Sequence, residues 1–144
     1  PEWEVRKSAL ESLGRIRDKT GLEPAKVLIS DEEPQVRQAV IDTLVALGGE
    51  AVMNDIAYLL EDADLWVRFR AIDALGRLGQ ADVSEKLVPF LTDQNDILRV
   101  AAAKALARLN DQRALPFLKS SVHDKNPDVA AAVSEAINKL EMVS

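Results

Sequence analysis

Apolar and polar positions recur along this chain at a fixed interval of 31 residues. The stretch from Asp62 to Gly79, DADLWVRFRAIDALGRLG, returns as 31–48, 93–110 and 124–141, and a copy lacking its first residue opens the chain at Pro1. The register runs without an insertion. Val5, Val36, Val67, Leu98 and Val129 form one row, and Ala9, Val40, Ala71, Ala102 and Val133 a second. Leu13, Leu44, Leu75, Leu106 and Ile137 form a third, and Ile16, Leu47, Leu78, Leu109 and Leu140 a fourth. Spacings of 4, 4 and 3 within a copy place these rows on one helical stripe, which predicts a helix, here called helix B, in every copy. Glu2, Glu33, Asp64, Asn95 and Asn126 fall at its N-cap, Pro34 and Pro127 at its first helical position, and Gly48, Gly79 and Asn110 where a left-handed stop is expected.

A shorter apolar segment follows each of the first four B helices. Its rows are Ala25, Ile56, Leu87 and Leu118, then Leu28, Leu59, Phe90 and Ser121, then Ile29, Leu60, Leu91 and Val122. The spacing predicts a second helix, A. Pro24 and Pro116 lie in its first turn, whereas Pro89 lies later and is expected to kink or shorten it. A fixed period of this length marks a repeat array, with each unit burying its face against its neighbours. The expected architecture is therefore an all-α, right-handed α-solenoid of antiparallel helix pairs, one domain over 1–144 with five B and four A helices. The array opens on a helix B with no helix A before it, so the chain is expected to be a piece of a longer array.

Composition narrows the chemistry. With 47% apolar but only 4% aromatic residues, the core must rest on Leu, Val, Ile and Ala. No cysteine is present, which removes disulfides and thiolate metal sites, and the net charge of −6 weighs against general nucleic-acid binding. No uninterrupted apolar run is long enough to span a bilayer and no signal peptide is visible, so no membrane partner and a cytoplasmic location are expected.

The repeat xxDxxPxVRxxAxxxLxxLG, preceded by an amphipathic helix, resembles the HEAT family. The 31-residue length and the Val-Arg pair look most like the HEAT-like repeats of the phycobilisome (bilin) lyase subfamily. The resemblance implies a structural ladder between repeats, from an Asp and an Arg six positions later: Asp31 with Arg37, Asp62 with Arg68 and Asp93 with Arg99. Ala130 stands at the Arg place after Asp124, and Arg6 has no Asp before it, so the ladder is expected to span those three pairs.

Catalytic chemistry is sparse. The one histidine, His123, shares its row with Ser30, Glu61 and Thr92, which marks a solvated turn. HEAT-like iron enzymes use several His-Glu pairs, and none is present. The row of Glu11, Asp42, Asp73 and Glu135 stands four positions before Arg15, Arg77 and Lys139, a spacing that supports an exposed helix face. No enzyme activity, no cofactor and no metal are expected. A sharper signal comes from projecting helix B at about 100° per residue. Trp66, Phe69, Arg70, Asp73 and Arg77 fall opposite the buried stripe, on a face that the first two copies keep mostly polar, and the fourth copy repeats the exception with Ile97 and Val100. The resemblance implies that helix B lines the concave surface. The candidate binding site is therefore Trp66, Phe69, Ile97 and Val100, rimmed by Arg70, Arg77, Lys104 and Arg108, for a peptide or folded protein partner. Three other readings stay open: Trp66 folded onto the preceding helix A or loop, phosphate or nucleic acid held at the basic rim, and a bilin lyase or chaperone-like subunit.

Overall fold

The computed structural model describes residues 2–79 and 81–142, and among them there are only helices, 3-10 turns and connecting turns. The five predicted B helices are α1 (Trp3–Ile16), α3 (Pro34–Gly48), α5 (Leu65–Leu78), α7 (Asp96–Leu109) and α9 (Pro127–Glu141). The A helices are α2 (Leu22–Val27), α4 (Met53–Tyr58), α6 (Ser84–Leu87) and α8 (Leu115–Ser120). Each A helix is entered through a 3-10 turn, and α2, α4 and α6 also run out through one. Pro89 acts as expected: α6 has 4 residues where α2, α4 and α8 have 6, and the chain continues as a 3-10 turn over Val88–Thr92. The missing Pro89 N–H removes the bond that a further α-turn would use.

The helix starts follow the sequence, but the caps differ in kind. The Asn95 and Asn126 side chains accept N–H groups of the first turn, and Asp64 Oδ1 accepts those of Trp66 (2.9 Å) and Val67 (3.0 Å). Glu2 and Glu33 occupy the same position without a side-chain cap. The helix stops correct the expectation further. Asn110 is left-handed (φ 55°), but Gly48 has φ −109° and the positive angle falls on Gly49 (φ 54°); Gly79 keeps a negative φ. At Gly48 and Gly79 the requirement is space. A Cβ would run into Val52 at the first and into the Leu75 carbonyl at the second. The left-handed stop of α1 is carried by Arg17 (φ 58°, ψ 31°), which was not anticipated.

The packing divides into two compact units, Pro1–Ala74 and Leu75–Ser144, with the boundary inside α5. In the first unit α1 and α2 pack on α3. Val36, Val40 and Leu44 are fully buried there, and Thr43 shares its hydroxyl proton between the carbonyls of Ala39 (2.8 Å) and Leu10 (2.9 Å), tying α3 to α1. In the second unit α7 packs on α9 and on the turn after α6, and α8 packs on α9. Its core holds Leu87, Leu98, Leu106, Leu118, Val133 and Leu140. Each such side chain contributes about 1.5–3 kcal/mol by leaving water. The helical stretch Pro34–Glu61 is long and apolar enough to cross a membrane, with mean hydropathy 1.2, but it breaks at Gly49 and its Val36, Val40, Leu44 and Ile56 are core residues.

The ladder is present with a different pairing. Arg37 Nη1 donates to the main-chain carbonyl of Asp31 (2.6 Å), Arg68 to that of Asp62 (2.7 Å) and Arg99 to that of Asp93 (2.8 Å). The carboxylates belong to the guanidinium of the preceding repeat. Arg37 grips Asp62 through Nε and Nη2 (2.7 and 2.9 Å), and Arg99 grips Asp124 (2.9 and 3.2 Å). Arg6 therefore does have a partner, Asp31 (2.6 and 2.9 Å), and Asp124 belongs to the ladder despite Ala130. Asp31, Asp62, Asp93 and Asp124 each also accept the N–H two residues on, at 2.8–3.0 Å, so the same carboxylate shapes the turn that leads into helix B.

Candidate functional site

The orientation of α5 follows from its apolar stripe. Val67 and Ala71 are fully buried, and this fixes the rotation of the helix so that the opposite rows face out. Trp66 is 49% exposed and Phe69 half-buried. Their rings meet edge to face, with centroids 5.7 Å apart at 75°. This geometry is worth about 0.5–1.5 kcal/mol beyond area burial, and it holds a large aromatic surface still at the protein surface.

The charges around this pair differ from the expected basic rim. Arg70 Nη1 donates to Asp42 Oδ2 of α3. The Asp42 carboxyl is pushed above the usual carboxylate range by partial desolvation first and by the nearby Glu11 and Asp73 carboxylates, with Arg70 opposing. On the first unit, then, the aromatic pair stands beside an acidic row, Glu11, Asp42 and Asp73, with Arg70 already engaged. Both partners of the Arg70 pair are well exposed, so the pair is worth less than about 1 kcal/mol and a partner can exchange it readily.

The remaining candidates lie in the second unit. Ile97 and Val100 are half-buried on α7, and Arg77, past the unit boundary on α5, is exposed. Lys104 and Arg108 are exposed on α7 and line a groove of about 590 Å³ with Ala107, Ala132, Glu135 and Lys139, the last three from α9. The sequence reading missed the contribution of α9. The available signal was the row of Arg15, Ala46, Arg77, Arg108 and Lys139, which is basic in four of its five copies. Lys104 stands in the row that is Glu11, Asp42 and Asp73 in the first unit. This row is thus acidic throughout the first unit, whereas in the α7–α9 groove it supplies Lys104 from α7 and Glu135 from α9. His123 is exposed in its turn, and among the described residues no group of His, Cys, Asp and Glu is placed to hold a metal ion.

Comparison with known proteins agrees on architecture. The sequence matches the family of HEAT repeats over residues 1–57 and 53–138. The fold is similar to an engineered protein solved by crystallography, with 18% identity, TM-score 0.70, and cover of 98% of this chain and 75% of that one. It is also similar to human deoxyhypusine hydroxylase in complex with glycerol, with 24% identity, TM-score 0.69, and cover of 97% of this chain and 46% of the hydroxylase. No curated protein matches the sequence. At these identities the two structures share the fold alone.

Proposed function

The chain belongs to the HEAT-repeat family, and on that premise we propose that it is a non-enzymatic binding module that holds a protein partner on the outward faces of its B helices. The observation that carries this reading is Trp66, 49% exposed and braced by Phe69 on a row that packing leaves free to be polar. A half-exposed tryptophan fixed against a second ring offers a partner apolar area at low entropic cost, the usual makeup of a binding hot spot. The acidic row beside it favours basic side chains of the partner, and the groove, where Lys104, Arg108 and Lys139 outnumber Glu135, favours acidic ones.

The test is capture of partners from cell extract, identified by mass spectrometry, with the wild type and Trp66→Ala compared side by side. The expected result is a partner that Trp66→Ala loses while its circular dichroism is unchanged. A partner set indifferent to Trp66→Ala and Phe69→Ala, or turnover of a small substrate by the isolated chain, overturns the reading. The 31-residue unit with its Val-Arg pair also supports a finer placement, among the HEAT-like repeats of the phycobilisome lyase subfamily. A bilin-handling role predicts a change in bilin absorbance on mixing, and plain protein binding predicts none.

A further inference from the structure

One side chain of the second unit breaks the charge pattern of the B helices. Glu11 stands four residues before Arg15, Asp73 before Arg77 and Glu135 before Lys139. An acid four residues ahead of a base supports a helix, and two like charges at that spacing weaken it. In α7 the residue four before Arg108 is Lys104. Arg108 and Lys139 have a structural reason, since they lie in the last turns of α7 and α9, where positive charge meets the negative end of the helix dipole. Lys104 stands before that last turn, is exposed, and makes no ion pair among the described residues. The helix thus carries a repulsive pair where three other copies carry an attractive one, in a chain with 24 acids against 18 bases.

Lys104 opens onto the groove of about 590 Å³ between α7 and α9. Ala107, Ala132 and Ala136 line its floor, the last two buried, so no long side chain rises from it and a main chain can approach closely. Its charged walls are Lys104 and Arg108 on α7 and Glu135 and Lys139 on α9. Lys104 and Glu135 share one row on these neighbouring helices, and Arg108 and Lys139 another. Three cations therefore stand against one carboxylate. Like Lys104, neither Lys139 nor Glu135 makes an ion pair among the described residues.

We propose that this groove holds an extended acidic segment of the protein partner, with carboxylates of alternate residues at Lys104 and at Arg108, the second shared with Lys139. This deepens the protein-binding reading and rests on it. Four residues of helix offset Lys104 from Arg108 by about 6 Å along α7. Alternate side chains of an extended chain lie on one face about 6.6 Å apart, which matches that offset. The alanine floor admits the backbone. Glu135 sets a limit on the charge of the occupant: it opposes a strand dense in phosphate and accepts an N–H or a basic side chain of a peptide. The excess of acids over the whole chain acts in the same direction, so a nucleic acid is the disfavoured polyanion.

The test uses the whole chain in ¹H–¹⁵N NMR titrations at low salt. The probe is an acetylated and amidated hexapeptide of alternating glutamate and alanine at millimolar concentration, and its glutamine counterpart and oligothymidylate are the comparisons. The expected result is shifts centred on the amides of Lys104, Arg108, Ala132 and Lys139 with the glutamate peptide, lost with the glutamine peptide. Lys104→Glu takes up the residue type of its row and restores the acid-to-base spacing, so its melting midpoint should be no lower than that of the wild type. It should weaken the glutamate peptide about fivefold or more, and Lys139→Gln should weaken it less. The proposal is overturned if the glutamate peptide gives no localised shifts, if the glutamine peptide binds as tightly, if Lys104→Glu leaves the affinity unchanged or lowers the melting midpoint, or if oligothymidylate occupies the groove more tightly than the peptide. The probe is read at the groove alone, so this result stands or falls separately from the capture of partners that Trp66→Ala loses.

Discussion

Arg37 shows what a repeat sequence can and cannot reveal about a single side chain. The resemblance to HEAT repeats implied a ladder built from the Asp and Arg rows, but the recurrence of those rows left their pairing open. With a period of 31, an Asp six residues before one Arg is also 25 residues after another, so both pairings draw on the same two rows. The structure separates them: the carbonyl at six, the carboxylate at 25. Arg37→Met therefore removes two charge-assisted bonds to Asp62 and orphans the Asp31 carbonyl. We expect a loss of about 2–3 kcal/mol, read as a lower urea midpoint with binding unchanged. The carboxylates add a pH signature. Asp31 is held below the usual range first by Arg6, and Asp124 first by the Asn126 N–H and then by Arg99. A depressed carboxyl contributes stability that is complete above its unfolded pKa of about 3.9 and is lost as the pH falls through its folded value. The stability difference between wild type and Asp124→Asn should thus be full at neutral pH and shrink below about pH 4. A difference independent of pH would refute the assignment.

Among whole elements, the helix starts were readable because an N-cap is a local matter of one side chain and the next three N–H groups. The helix ends were not. Gly48, Gly79 and Asn110 share a row with Arg17, yet only Asn110 and Arg17 are left-handed. The row fixes where a helix stops, and the following turn decides how. After Gly48 the αL role passes to no residue at all: Gly49 takes φ 54° with ψ −132°, a region open to glycine alone. Arg17, by contrast, holds φ 58° and ψ 31° with its N–H on the Leu13 carbonyl, a conformation that glycine adopts without the Cβ penalty. Arg17→Gly should accordingly stabilise the chain by about 0.5–1 kcal/mol, less what glycine loses in unfolded-state entropy. Thermal melts that show a lower midpoint for Arg17→Gly would mean that the arginine side chain contributes more than its backbone strain costs.

Across the whole molecule the rows are equal in sequence and unequal in burial, because burial depends on the neighbours a repeat has. The candidate site illustrates this. Trp66 and Phe69 were legible as exceptions to a polar row, whereas the Arg70–Asp42 pair and the α9 wall of the basic groove arise only when successive repeats are set side by side. The core rows show it most directly. Val36, Val67, Leu98 and Val129 are fully buried, while Val5 in the same row is 57% exposed; Leu47 is 4% exposed and Ile16, its counterpart on α1, 70%. No helix A of the described residues stands before α1 as α2 stands before α3. Periodicity alone would assign Ile16 and Leu47 the same energetic weight, but the area each removes from water differs greatly. Leu47→Ala leaves a cavity under α3 and should cost about 2–4 kcal/mol. Ile16→Ala deletes a side chain already in water and should cost less than about 0.5 kcal/mol. Chemical denaturation of the two variants checks this, and equal losses would show that the α1 face is covered in solution by something that buries it as α2 helps to bury α3.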